Sequence, residues 1–560
     1  MGKWNYRRLS LIIVIALMVF GGAIMQTEGT KESLSFPNPL VTLDEQSTSL
    51  KNSAISADET FLSDYGNPTG RTNFRDKEIL IDENFTGNLP LVILDTGGQK
   101  PGRNSIYDSE KGYYVPLDTD PYAYGKIWII DNSGRENRIM DSPVFQSEMK
   151  LRIRGNSSGN YDKQQYLLKL TDEKGNPKKQ KVMDIGTDSE WILNVSFIDK
   201  SLLRNYLAYV TAGEIMPFTP DARFCEVIWK DGESLSYQGI YMMMESVKVG
   251  EDRVDLPRFS ENSKNLPFLL RRDRYNLTGV ILNNYGTEKE LIPGFLDIEW
   301  PDKEVLTKNA IERITGQINR FEEALFAENY EDFIEYREYI DRQSFVDYFL
   351  INEFFMNYDA GFNSTYIYSD YSGKLKMGPV WDFDQAMDNN ETQEARLFTT
   401  AFHSAPWFEQ ILRDPEFVKA LLERYEELRK GILSDKAIGE FLDGTIEGLG
   451  TAIERDWARW GYYYCDGNYL KPEYEGWPER NTKTYQEETD KLKKVLSVHG
   501  GWMDSHLDSL YQFSEKVEIY ESKNKDIRES RGSMLAIVFV IVFGVSVVLV
   551  QRAEQADGQQ

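Results

Sequence analysis

Two acidic segments joined by a hairpin constrain the fold of this chain more than any other feature. Asn357–Tyr368 contains Asp359 and Asn363, and Gly378–Asp384 contains Asp382. The residues between them alternate aromatic and β-branched side chains, turn at a Ser-Gly pair and return as a short strand, which predicts a β-hairpin. Because a hairpin brings its two flanking loops to one end of a sheet, we expect Asp359, Asn363 and Asp382 to converge.

Phosphoryl transfer is a chemistry that needs such a layout. One carboxylate meets the acceptor hydroxyl, while an amide and a second carboxylate hold magnesium against the nucleotide phosphates. The order of acid, amide, hairpin and second acid is that of protein kinases, although neither a His-Arg-Asp nor an Asp-Phe-Gly motif stands at these positions. The alternative interpretation is a pair of loops whose acids cap helices or bind calcium.

The two ends of the chain carry apolar runs. Three basic residues precede Leu9–Ile24, so residues 1–26 are typical of a signal peptide or an uncleaved signal anchor. Met534–Val550 is apolar except for Ser546, carries no charge, and predicts a transmembrane helix followed by a short tail, residues 551–560. The four basic residues just before the second run oppose the positive-inside bias, but the first helix usually dominates. We therefore expect a protein of the cell membrane whose main domain is extracytoplasmic.

Composition excludes several classes of function. The net charge of −26 argues against nucleic acid or an anionic membrane surface as partner. Two cysteines, Cys225 and Cys465, exclude a disulfide scaffold, and Cys225 is expected to be a buried apolar side chain. Three histidines without a nearby His or Cys cluster make a zinc site improbable. With 32 Tyr, 29 Phe and 11 Trp, the chain can bury a large core.

The pattern along the chain predicts an α+β fold with two lobes. Residues 27–64 are rich in Ser, Thr and acids and indicate a flexible linker. Residues 85–250 predict seven strands and one helix, a strand-rich N-terminal lobe, and residues 251–515 predict a helical C-terminal lobe that carries the acidic loops. The predicted strands are Leu89–Leu94, Lys126–Ile130, Met149–Arg154, Tyr166–Leu170, Trp191–Val195, Cys225–Trp229 and Gly239–Met244. The predicted helices include Ser201–Ile215, Pro415–Lys430, Ser434–Trp460 and Thr482–Leu510.

Five segments, taken in order and including the two acidic loops, resemble those of the CotH kinase family, the atypical, secreted-type protein kinases related to spore coat protein H. They are Arg152-Ile-Arg-Gly-Asn-Ser-Ser158, Lys163 with Tyr166-Leu-Leu-Lys-Leu170, Trp191–Val195 with Asp199–Asn205, Gly239–Glu245, and the Asp359 segment with Trp381-Asp-Phe-Asp384. The resemblance covers about residues 85–515 and implies an atypical protein-kinase-like fold that uses ATP and Mg²⁺ or Mn²⁺.

The resemblance also implies roles for individual residues. Asp359 matches the catalytic aspartate and Asp382 the metal-binding aspartate. Asn363 is the expected metal-binding amide, although it lies one position closer to the aspartate than in ordinary kinases. Lys163 is the expected contact to the nucleotide phosphates, with Lys169 as the second choice.

Further nucleotide-binding candidates come from the strand-rich lobe. Gly155, Asn156 and Ser157 form a loop whose backbone N–H groups are suited to phosphates, although a plain hairpin turn is equally compatible. Arg204 is expected to approach the phosphates from a helix, or else to form a surface ion pair. Glu245 ends a buried strand and is expected to act at a hinge or as a cap.

We therefore expect a membrane-anchored kinase that transfers the ATP γ-phosphoryl group to Ser or Thr hydroxyls of surface or coat proteins. One rival hypothesis is a catalytically inactive assembly protein that keeps the fold for binding. Another is a calcium-stabilised adhesin that uses Asp382, Asp384, Asp388 and Asn389.

Overall fold

A computed structural model describes residues 79–195, 197–390, 397–466 and 480–514 of the chain. They all belong to one unit, Thr42–Glu515. The predicted signal segment 1–26, the linker 27–64, the apolar run 534–550 and the tail 551–560 lie outside the described residues. Among the residues described, no helix combines the length and the apolar character that crossing a membrane requires.

A closed barrel of seven strands forms the first half of the described chain. The strand order is β11-β13-β12-β2-β5-β7-β8, and every neighbouring pair is antiparallel except β12 with β2. Each of the seven strands predicted from the sequence overlaps one of these barrel strands. The strands are β1 Thr86–Gly87, β2 Leu91–Asp95, β3 Ser105–Asp108, β4 Tyr113–Pro116, β5 Ala123–Ile130, β6 Asn137–Arg138, β7 Phe145–Ile153, β8 Tyr166–Thr171, β9 Gln180–Lys181, β10 Thr187–Asp188, β11 Glu190–Asn194, β12 Ala222–Asp231, β13 Ser234–Glu245, β14 Phe268–Asp273, β15 Phe295–Trp300, β16 Thr365–Ser369 and β17 Leu375–Met377.

Alternation along the strands fills the barrel. In β7 every second residue from Ser147 to Ile153 is buried, as expected for a strand with one face in a core. Trp191, Leu168 and Met243 are fully buried in the same apolar cluster. Cys225 also lies there, and burial raises the pKa of its thiol to about 12, so the predicted buried apolar role is confirmed.

A second sheet and most of the helices form the rest of the described chain. The sheet has the order β15-β14-β16-β17 and is antiparallel throughout, and β16 with β17 is the hairpin predicted between the acidic loops. The mixed α+β class is thus confirmed, while a kinase-like arrangement of two lobes stays a prediction. The helices are α1 Arg204–Gly213, α2 Tyr285–Glu288, α3 Lys308–Leu325, α4 Tyr330–Phe333, α5 Arg342–Phe354, α6 Phe408–Ile411, α7 Pro415–Arg429, α8 Asp435–Leu449, α9 Thr451–Asp466 and α10 Tyr485–His506, with 3₁₀ turns at Ser157–Asn160, Ile334–Glu338 and Leu507–Phe513.

Helix ends follow local capping chemistry, and three helices differ clearly from prediction. The helix expected over Thr482–Leu510 covers Tyr485–His506 and begins after its cap, Thr484. The helix expected over Ser201–Ile215 begins at Arg204, because the Asp199 carboxylate accepts the Arg204 N–H at 3.0 Å. The single helix expected over Ser434–Trp460 is divided into α8 and α9 at Gly450, whose φ of 48° is a conformation that glycine adopts readily and other residues rarely adopt.

Candidate active site

The loop before β16 is closed by its own hydrogen bonds. The N–H of Asn363 donates to the carbonyl of Asp359 at 2.9 Å, and the N–H of Gly361 donates to the hydroxyl of Thr365 at 2.7 Å. Gly361 has a φ of +85°, and a Cβ added there would lie 2.7 Å from the Cβ of Ala405, so only glycine fits. This closed loop fixes Asp359 next to the start of the hairpin.

The loop after β17 holds Asp382 in an uncommon backbone conformation. Its φ is +66°, which costs free energy for a residue with a side chain and is found most often at functional sites. The N–H of Asp382 donates to the Tyr209 hydroxyl at 3.2 Å, and its carbonyl accepts from the Asn357 amide at 3.2 Å. The neighbouring Phe383 N–H donates to Asn205 at 2.7 Å, so helix α1 fixes the direction of this loop.

Both loops open into one cavity of about 400 Å³, as the hairpin predicted. One wall comes from the end of β7 and the turn that follows it, and the other wall comes from α1 and the two acidic loops. The residues that matter for the chemistry are Arg152, Arg154, Gly155, Asn156 and Ser158 on the first wall and Asn205, Asp359, Ser364, Asp382 and Asp384 on the second.

The carboxylates of the cavity repel one another. Burial is the main cause that raises the pKa of Asp382, and the negative charge of Asp359 raises it further. The positive charge of Arg154 offsets part of this rise. Burial and the charge of Asp382 raise the pKa of Asp384 well above its ordinary value of 3.8, and its carboxyl hydrogen-bonds to Asp382. A positive ion between these groups would remove the repulsion, because opposite charge favours ionised carboxylates.

Arg154 supplies a positive charge to the cavity, and this charge lowers the pKa of Asp382. Its guanidinium stacks over the Trp381 ring at 5.5 Å and donates to the Gln165 side chain at 3.0 Å. These two contacts hold the cation facing Asp382 across the cavity. Arg154 belongs to the segment that carries the family resemblance, but the sequence alone did not assign it a role in the site.

The predicted phosphate loop does line the cavity in part. Gly155 has a φ of +91°, and a Cβ there would lie 2.1 Å from the Ser158 hydroxyl, so the tight turn requires glycine. Gly155 and Asn156 face the cavity, and Arg103 donates to the carbonyl of Asn156 at 2.6 Å. The backbone of Ser157 begins a 3₁₀ turn, while its side chain lies outside the described part of the structure.

Asn363 does not lie where the metal-binding amide was expected. Its side-chain amide donates to Oδ1 of Asp359 at 2.8 Å, and it is absent from the described lining of the cavity. The next residue, Ser364, lines the cavity instead, and its hydroxyl donates to Oδ2 of Asp382 at 3.3 Å. The left-handed φ of Ser364, 50°, turns the two adjacent side chains to different carboxylates.

Both lysines predicted to contact phosphate are engaged elsewhere. Lys163 is fully buried in an ion pair with Asp456 of α9, with Nζ 2.5 Å from the carboxylate. Lys169 pairs with Glu190 on the neighbouring strand at 2.8 Å. Neither side chain is among the described residues that line the cavity, and the phosphate contact assigned to each stays a prediction.

Arg204 and Glu245 also lie away from the described lining. Arg204 is completely buried between Asp199, at 2.5 Å, and Glu488, at 2.8 Å, so it is not the surface ion pair that was its alternative. It supports the site indirectly, because its guanidinium donates to the carbonyls of residues 386 and 387, just after the acidic loop. Glu245 accepts the N–H of Asp221, the residue before strand β12, at 3.1 Å, and its hinge and capping roles both stay predictions.

Of the four residues expected to form a calcium site, Asp382 and Asp384 line the cavity, whereas Asp388 and Asn389 are absent from its described lining. Asp388 pairs with Arg480 at 2.8 Å, and the Asn389 amide donates to the carbonyls of Ile198 and Asp384. Within the described ranges, no group of three or more His, Cys, Asp or Glu side chains is arranged to hold a metal ion. Asp382, Asp384 and the Ser364 hydroxyl nevertheless form a set of oxygen donors of the type that Mg²⁺ and Mn²⁺ prefer.

The cavity has carboxylates on one wall and an arginine with a tight glycine turn on the other. Such a site is suited to an anion together with a divalent cation. A family model described as CotH kinase protein matches residues 151–503, and this range includes both walls. Since the match covers more than half of the sequence, the chain belongs to the CotH kinase family. This membership indicates a kinase-like enzyme. No curated protein matches the sequence significantly.

Proposed function

We propose that this protein transfers the γ-phosphoryl group of ATP to a Ser or Thr hydroxyl of a surface or coat protein, with Mg²⁺ or Mn²⁺ as cofactor. The observation that carries the proposal is the convergence of Asp359 and Asp382 in one cavity, opposite Arg154 and the Gly155 turn. Membership of the CotH kinase family supports the same class of reaction.

Asp359 is the proposed catalytic residue. Its carboxylate accepts the proton of the acceptor hydroxyl as the hydroxyl oxygen bonds to the γ-phosphorus. The bond from that phosphorus to the bridging oxygen breaks at the same time, and ADP leaves with the electron pair. The hydrogen bond from Asn363 to Oδ1 leaves Oδ2 of Asp359 to meet the acceptor.

The remaining cavity residues hold the phosphates. Asp382 is the proposed metal ligand, with Asp384 beside it, and Arg154 with the Gly155 turn faces the phosphate oxygens from the other wall. A bound divalent cation neutralises charge on the phosphates. Asn205 and Tyr209 keep the Asp382 loop in place through its N–H groups.

An open groove gives the acceptor a path to Asp359. It is lined by Tyr113, Arg274, Tyr275, Phe362 and Asn363, and it shares Arg274 and Tyr275 with the cavity. Aromatic rings in an open groove suit an extended peptide segment. The acceptor hydroxyl would then reach the cavity next to Asn363, whose amide hydrogen-bonds to Asp359.

Substitution of Asp359 by Asn tests the proposal in the full chain. Because the variant loses the proton acceptor but keeps Asp382 and Arg154, transfer of labelled γ-phosphate should fall by roughly 10²- to 10⁴-fold. Magnesium-ATP affinity should change by no more than a few-fold. Asp370→Asn is the matched control, since Asp370 pairs with Lys376 at the other end of the same hairpin. Wild-type protein that binds nucleotide without any transfer would favour the inactive assembly protein, and unchanged transfer by Asp359→Asn would exclude Asp359.

We also propose that the described domain is extracytoplasmic and membrane-anchored. This rests on the two apolar runs of the sequence, residues 9–24 and 534–550. It agrees with a substrate among surface or coat proteins.

A further inference from the structure

The acidic loop before β16 offers two adjacent polar side chains, and they have separate tasks. Asn363 faces the open groove and hydrogen-bonds to Asp359, whereas Ser364 faces the cavity and hydrogen-bonds to Asp382. In ordinary kinases the metal-binding amide stands five positions after the catalytic aspartate. Five positions after Asp359 stands Ser364, so the structure and the spacing select the same residue.

We propose that the Ser364 hydroxyl is the neutral oxygen ligand that shares the divalent cation with Asp382, and that Asn363 is a positioning residue for Asp359. This inference rests on the proposed function and assigns the second metal ligand of that site. It replaces the amide expected from the sequence by a hydroxyl and gives the amide a different role.

The spacing of the two oxygens fits a shared ion. Ser364 Oγ and Asp382 Oδ2 are 3.3 Å apart. Neighbouring ligands of an octahedral ion with bonds of roughly 2.1 Å lie about 3.0 Å apart, so a small movement brings both oxygens into one coordination shell. A hydroxyl paired with an aspartate is also a known magnesium ligand set, since P-loop enzymes hold the ion through a Ser or Thr hydroxyl and an Asp.

The local backbone makes this arrangement rigid. The Thr365 hydroxyl donates to the carbonyl of Asn363 at 2.9 Å and accepts the N–H of Gly361, so the loop is tied on both sides of Ser364. Ser364 itself has a φ of 50°. Asparagine is among the residues that tolerate this left-handed conformation best, so Ser364→Asn should fold and present an amide oxygen in place of the hydroxyl.

The test is direct measurement of Mn²⁺ affinity in the full chain, by electron paramagnetic resonance of free Mn²⁺, with and without a non-hydrolysable ATP analogue. We expect Ser364→Ala to weaken Mn²⁺ binding by about tenfold, as typically follows loss of a group that orders a metal site. Ser364→Asn should bind Mn²⁺ at least as well as wild type. Asn363→Ala should bind Mn²⁺ within about twofold of wild type but lose phosphoryl transfer through kcat rather than through KM for ATP, because Asp359 loses the amide that positions it.

Ser372→Ala, at the exposed turn of the same hairpin, is the matched control and should behave as wild type. Ser364→Ala with wild-type Mn²⁺ affinity would overturn the inference, as would loss of Mn²⁺ binding by Asn363→Ala. If Ser364→Ala does not fold, weaker Mn²⁺ binding by Ser364→Asn would also overturn it. Wild-type protein that binds no Mn²⁺ even with the analogue would overturn the proposed function as well.

Discussion

Lys163 provides the clearest test of how far family resemblance can be carried to single residues. The resemblance assigns it to the nucleotide phosphates, but the structure buries it against Asp456 with both side chains fully excluded from solvent. The perturbation is Lys163→Met, which keeps the length of the side chain and removes its charge. If the structure is the better guide, this change unfolds the protein more easily and leaves nucleotide affinity unchanged.

The expected loss of stability follows from the hydrogen-bond donors that remain around Asp456. Without the ammonium group, its carboxylate keeps two neutral donors, the N–H of Ile240 at 2.8 Å and the hydroxyl of Tyr464 at 3.3 Å. Removal of one partner from a buried ion pair costs about 3–5 kcal/mol, because the other charge stays buried. Adding Asp456→Asn removes that charge and keeps an oxygen for Ile240, so the double variant should recover most of the loss.

Urea unfolding followed by tryptophan fluorescence measures the stability, and a fluorescent ATP analogue measures affinity on the folded protein. Lys169→Met is the matched control, because its half-exposed pair with Glu190 should contribute less than about 1 kcal/mol. A Lys163→Met protein with the wild-type urea midpoint and at least tenfold weaker nucleotide binding would refute the structural role. It would restore Lys163 as a phosphate contact.

Two further predictions concern other parts of the chain. Burial raises the pKa of Glu245 from 4.5 to about 7, so the folded protein holds a proton that the unfolded chain releases, and stability should fall as the pH rises from about 4.5 to about 7. The loss of stability between pH 4.5 and 8 should be at most about 3 kcal/mol, and Glu245→Gln should remove it. If the urea midpoint changes by the same amount over this pH range in wild type and in Glu245→Gln, the prediction is wrong. Proteinase added to intact cells should degrade Asn88–Phe513, and full protection in cells shown to be protease-accessible would reverse the topology.

The parts of the fold that the sequence predicts are those set by short-range pattern. The seven barrel strands alternate or run apolar over five or more residues, and the hairpin between the acidic loops has turn residues at its tip. The convergence of Asp359 and Asp382 follows from that hairpin alone. The division of the helix at Gly450 has a local signal too, because glycine is the residue that adopts a positive φ most readily.

Charged residues are harder to place, because their partners are distant in the chain. Lys163 meets a carboxylate 293 residues later, and Arg204 meets one 284 residues later. A charge within a motif of the family gives the same sequence pattern whether it contacts a ligand or a buried partner. The buried partners of Lys163 and Arg204 become visible only when α9 packs against the barrel and Glu488 of α10 meets α1.

The choice between Asn363 and Ser364 depends on a single backbone angle. An amide is the better-known metal ligand, so residue type favours Asn363, whereas the spacing of kinases favours Ser364. The prediction follows residue type, because the sequence does not indicate that Ser364 adopts a φ of 50°. With that angle the hydroxyl hydrogen-bonds to Asp382 and the neighbouring amide to Asp359, so two consecutive residues contact the proposed metal ligand and the proposed catalytic carboxylate.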